Sequence, residues 1–100
     1  MTTETFQGYI VDLACLRRYP HAELLNRARR HTVECAMMGH CVESGYALVG
    51  NEGGLFLLDT GATPLVLAAL SRTARREGVA LQSRRELQDG EMKTVGIDLL

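Results

Sequence analysis

The sequence has no apolar run approaching the roughly 18 residues that a membrane-spanning helix needs, so no helical anchor is expected. Its first residues, Met-Thr-Thr-Glu-Thr, lack the basic and apolar regions of a signal peptide. As written, the chain reads as cytoplasmic; with a leader already removed it would be periplasmic or secreted. A strong net charge is also missing. The balance is −1, so no overall field draws in nucleic acid. Aromatic residues are few: Phe6, Tyr9, Tyr19, Tyr46 and Phe56. A single-strand binding groove needs stacking aromatics among basic residues, and only Arg84, Arg85 and Lys93 offer such charges, which disfavours nucleic acid as a partner. No stretch is of low complexity, and one hundred residues suit a single domain, residues 1–100, with a real but small core.

Cysteine is scarce and odd in number. Cys15, Cys35 and Cys41 cannot form a fully paired disulfide framework. One bridge plus a free thiol, three thiolates on a metal, and three buried thiols all fit that count. Charge is uneven along the chain. Residues 14–31 carry Arg17, Arg18, Arg27, Arg29 and Arg30 against Glu23, a balance of +4. Residues 32–61 carry Glu34, Glu43, Glu52 and Asp59, a balance of −4. Pairing within the molecule and a solvated helix face explain this; an anion or partner surface is the sharper alternative.

Residues 5–13 alternate as a strand, with Phe6, Gly8, Ile10 and Asp12 on one side; Gly8 there predicts a bulge or a close backbone approach. A helical insert of about residues 16–41 follows. Pro20 suits a first helical turn, and the basic end at Arg27–Arg30 complements a helix C-terminus. A second short helix is expected over 32–38, capped by Thr32 and stopped by Gly39. Residues 46–49 and 55–58 read as a hairpin around Gly50–Gly54. Thr63-Pro64 opens a helix over 64–76, with Gly78 just past its end. Residues 79–88 and 91–99 are strands joined by Asp89-Gly90. That turn pairs Glu86 with Lys93 but would set Leu81 opposite Asp98; a bulge within Ser83–Arg85 repairs the faces. The order predicts a mainly β fold: a small OB-fold-like five-stranded barrel, with the insert after strand 1 and a helix between strands 3 and 4. An α+β sheet with helices on one side is the alternative.

The pattern Gly8-Tyr-Ile-Val-Asp12-Leu-Ala-Cys15, then His31-x-x-x-Cys35-Ala36, then Cys41-x-x-Ser44-Gly45-Tyr46, resembles that of a family of small, largely uncharacterised bacterial proteins. The resemblance covers most of the chain, including the glycine-turn hairpin and the last two strands. It implies that Asp12, Cys15, His31, Cys35 and Cys41 belong to one constellation. Many members are exported and none has a firmly assigned activity; this chain departs from them in showing no export signal.

Those residue types suit a soft or borderline metal. His31 and Cys35, four apart, share a helix face. Cys15, His31, Cys35 and Cys41 would give zinc a Cys₃His tetrahedron, and copper(I) would accept the thiolates with Met37 or Met38 as further donors. The spacings are not those of a standard zinc finger. Asp12 is a candidate fifth ligand or an acceptor that orients His31, and His40 competes for the imidazole role. His21 is expected on the surface. The runner-up is a disulfide-stapled OB-like module that binds a small ligand or a protein partner. Catalysis by a Cys35 thiolate beside His31 lacks a visible orienter and oxyanion site, so no enzyme is indicated.

Overall fold

A computed structural model describes residues 2–100. Five antiparallel strands, β1 (Thr3–Asp12), β2 (Tyr46–Val49), β3 (Leu55–Leu57), β4 (Ala80–Gln88) and β5 (Glu91–Leu99), form one sheet in the order β3-β2-β1-β4-β5. Helices α1 (Leu13–Leu16), α2 (Leu24–Arg30), α3 (Val33–Ala36) and α4 (Gly39–Ser44) lie between β1 and β2. Helix α5 (Thr63–Arg72) lies between β3 and β4.

The centre of the sheet is β1, which changes partner along its length. Residues 3–9 pair with β4 and residues 9–12 with β2. Gly8 makes this crowding tolerable, because a Cβ there would stand 2.7 Å from the Val49 carbonyl oxygen. The expected close approach is therefore present. Alternation gives the strand two faces. Ile10, with Tyr46, Leu48, Leu81 and Ile97, packs against Val66, Ala69 and Leu70 of α5. On the other face Val11 and Val49 meet Leu24 and Ala28 of α2. Burying Leu24 there contributes about 1.5–3 kcal/mol.

The five expected strands form, in one antiparallel sheet that does not close into a barrel. The sheet is open: β3 and β5 are its two edges. The gap is crossed by a side chain instead. Asp59, just after β3, accepts hydrogen bonds through Oδ1 from the Thr94 backbone N–H (3.1 Å) and hydroxyl on β5. A 3-10 turn at Thr60–Ala62 then leads into α5.

The last hairpin forms as expected. Asp89 (φ 52°) and Gly90 (φ 82°) both take the left-handed region, as a type I′ turn requires. Glu86 faces Lys93, and a register shift between Arg84 and Arg85 sets Leu81 opposite Leu99 instead of Asp98. Four local readings are corrected. The helix expected from Pro20 is a 3-10 turn at His21–Glu23 followed by α2. Helix α5 begins at Thr63 without a side-chain cap and stops at Arg72, so Arg75 and Arg76 lie beyond it. Gly39 starts α4 rather than ending a helix, because Met38 is extended (ψ 140°) and Gly39 follows as the first helical residue. Gly78 does not cap α5; its job is in the site's scaffold.

Candidate metal centre

The insert leaves and rejoins the sheet at one place. The Leu13 N–H donates to the Gly45 carbonyl (2.9 Å), and the Ala14 N–H donates to Ser44 Oγ (3.1 Å). Gly45 makes the exit with φ 89°. The end of β1 is thereby fixed beside the start of β2.

Two similar turns present the cysteines. Asp12 caps α1, its Oδ2 accepting from the Cys15 N–H at 2.9 Å. Thr32 caps α3, its Oγ1 accepting from the Cys35 N–H at 3.1 Å. Each cysteine therefore stands three residues after its cap, on a helix of a single turn. The two turns face each other with Cys15 Sγ and Cys35 Sγ 3.4 Å apart.

His31 is held between α2 and α3 by the far end of the chain. Its carbonyl accepts from the Gly78 N–H (3.0 Å), and the Val33 N–H donates to the Arg76 carbonyl (2.8 Å). A bridge pairs Thr32 with Glu77. Gly78 is needed here twice over: φ is +61°, and a Cβ would stand 2.5 Å from the Arg29 carbonyl oxygen. So pinned, the imidazole points inward. Nε2 lies 2.8 Å from Asp12 Oδ1, while Nδ1 lies 3.0 Å from the Tyr19 hydroxyl.

Asp12 and His31 are buried, 0% and 6% exposed. Yet Asp12 Oδ1 and His31 Nε2 have no aligned hydrogen-bond partner despite their 2.8 Å separation. A buried polar atom without a partner costs about 1–3 kcal/mol. The two atoms are nonetheless in close acid–imidazole contact with each other, and both lie where one cation would be within reach of each. With the sulfurs they make a compact group: one donor atom each from Asp12, Cys15, His31 and Cys35, all within 4.8 Å of one another. This group could hold a metal ion, and its carboxylate, imidazole and two thiols are the donor types zinc uses.

The electrostatics point the same way. Burial works against the Asp12 charge, but contact with His31, the Cys15 N–H and the Cys41 thiol hold its carboxyl down to about 2. The thiols respond oppositely. Burial first, then the Cys35 contact and the Asp12 charge, push Cys15 well above its ordinary value. Cys41 is pushed up to about 11, by burial and then by Asp12. A cation beside Asp12 would offset the carboxylate charge that helps push the Cys15 thiol up.

The remaining expected residues fall as follows. Cys41 sits on α4, 3% exposed and against Asp12, outside the four-donor group. Asp12 stands in that group where Cys41 was expected. His40 is exposed on α4, and His21 is exposed as expected. Met37 and Met38 lie in the α3–α4 turn with exposed side chains. Among the described residues, the five arginines of residues 14–31 contribute one ion pair, Arg27 with Glu23 at 3.8 Å. Tyr19 as partner of His31 has no sequence signal, since nothing in a spacing of twelve residues predicts it. The matched capping turns, Asp12-Leu-Ala-Cys15 and Thr32-Val-Glu-Cys35, are legible in the sequence once seen together.

No family model matches the chain, and comparison with curated proteins and with solved structures gives no match.

Proposed function

We propose that this chain is a small metal-binding protein whose site takes zinc through Asp12, Cys15, His31 and Cys35. The observation that carries this reading is the convergence of one donor atom each from Asp12, Cys15, His31 and Cys35 within 4.8 Å of one another, with Asp12 and His31 buried. Zinc is favoured over copper(I) because Asp12 supplies a hard oxygen donor, whereas copper(I) prefers sulfur. The Tyr19 hydroxyl at Nδ1 suits a ring that donates there and keeps Nε2 bare for the ion.

The role is structural in the first instance. The ion would tie the end of β1 to α1, His31 and α3. Single-turn helices are not stable alone in water, so the ion holds together what local structure cannot. Native mass spectrometry of the chain after addition of zinc sulfate tests this reading. One zinc per chain is expected, displaced by chelator, with the bound form melting higher than the chelated one. A chain that stays metal-free at micromolar zinc would sink the proposal.

A further inference from the structure

The four donors are not equally sheltered. Asp12 and His31 are buried, as is Cys41, while Cys15 and Cys35 are half-buried. The sulfur side of the site is therefore the side a solute reaches. Sγ to Sγ is 3.4 Å, so a bond of about 2.05 Å needs an approach of only about 1.4 Å. Each cysteine rides on a one-turn helix outside the sheet, and small shifts there leave the strand ladders intact.

We propose that Cys15 and Cys35 form a reversible disulfide that empties the metal site, making the chain a peroxide-responsive zinc-releasing protein. The inference rests on the zinc reading above. The chemistry is closed with hydrogen peroxide as oxidant. One thiolate sulfur attacks a peroxide oxygen; the O–O bond breaks, and the departing hydroxide takes a proton to leave as water. The sulfenic acid so formed is attacked by the second thiolate. An S–S bond forms, and the expelled hydroxide takes a second proton. Two thiolates, one peroxide and two protons give one disulfide and two waters. The sulfurs lose two electrons and the peroxide gains them.

Disulfide and metal exclude each other. A bridged sulfur carries no thiolate charge, so only Asp12 and His31 remain as ligands, too few for a zinc site. The bridge nonetheless joins the same elements, α1 and α3, that the ion joined. Loss of the metal therefore need not unfold the insert, and a thiol reductant restores the empty, competent site.

The test loads the full chain with zinc and adds stoichiometric hydrogen peroxide. Released zinc is followed with a chromogenic chelator, and disulfides are mapped by alkylation and peptide mass. Zinc release and the Cys15–Cys35 link are expected to grow together in equal amounts, with Cys41 alkylated throughout. Dithiothreitol should reverse both. Cys41→Ser, which removes the competing thiol, is expected to give the same link. Zinc released without a link, a link that includes Cys41, or zinc retained by the linked chain would each overturn the proposal. A metal-free sample treated in parallel separates the two readings. If the chain takes no zinc, the metal site fails on its own account. The peroxide map then still decides the disulfide: a Cys15–Cys35 link upholds the reactive pair, and its absence removes it.

Discussion

Two aspartates close two junctions in this molecule, and they are used differently. Asp59 bridges the open side of the sheet, and its Oδ1 takes both the Thr94 N–H and hydroxyl. Asp12 closes the junction between β1 and the insert. Its Oδ2 is committed to the Cys15 N–H, while Oδ1 faces the His31 ring without an aligned bond. The first carboxylate oxygen is satisfied by the fold. The second is held at 0% exposure, its remaining oxygen facing the His31 ring at 2.8 Å. That contrast separates a structural acid from a candidate metal donor.

The comparison breaks most sharply at Asp12. Asp12→Ala is expected to weaken zinc binding by at least about 100-fold, beyond the 10–100-fold typical of residues behind the ligands. Competition with a chelator of known affinity measures it. A variant that binds zinc as tightly as the wild type would make Asp12 structural like Asp59. Asp59→Ala should do the converse. Leaving the Thr94 N–H and hydroxyl without their acceptor is expected to cost about 2 kcal/mol in urea unfolding, with zinc affinity unchanged within error.

Acid sharpens the contrast further. The Asp12 carboxyl is held at about 2, below its ordinary 3.8. A depressed carboxyl stabilises the folded chain above the ordinary value and loses that contribution as pH falls through the folded one. The chelated wild type should therefore lose up to about 2 kcal/mol relative to Asp12→Asn between pH 4 and pH 2. Thermal melts of the two proteins across that window check the sign; parallel curves would remove Asp12 as the cause. The smallest effect is expected at Tyr19. Tyr19→Phe removes the group at His31 Nδ1 and should weaken zinc binding by up to about tenfold, with little change in the metal-free melt.

Much of this is legible in the sequence wherever the signal is local. Asp89-Gly90 fixes a hairpin because both residues tolerate positive φ, and the mismatch of Leu81 with Asp98 is enough to require the bulge. Gly8 marks a close approach for the same kind of reason. That Cys15, His31 and Cys35 come together is readable from their chemistry, since ligand-type residues arrive from separate short elements. What is not readable depends on distant partners. The side-chain link across the open side of the sheet joins Asp59 and Thr94, 35 residues apart, and periodicity carries no trace of that bond. Gly78 looks like a helix stop because its neighbours are helical in pattern; its actual constraint comes from Arg29, across the fold. Asp12 reads as a candidate ligand or orienting acceptor near the end of a strand; that it also caps the next turn depends on the turn itself.

The pinning of His31 by residues 76–78 also bears on when the site comes into being during synthesis. Every donor precedes residue 36, so all four leave the ribosome before residues 76–78. The hairpin of β4 and β5 is local and closes quickly on its own. The contacts that set His31 cross some 45 residues of sequence, and β1 cannot take its place beside β4 until that strand has been made. The ligands are thus made first and aligned last. A nascent or truncated chain would expose loose thiols and a free imidazole, and tight capture of an ion would announce that the last third of the chain has docked.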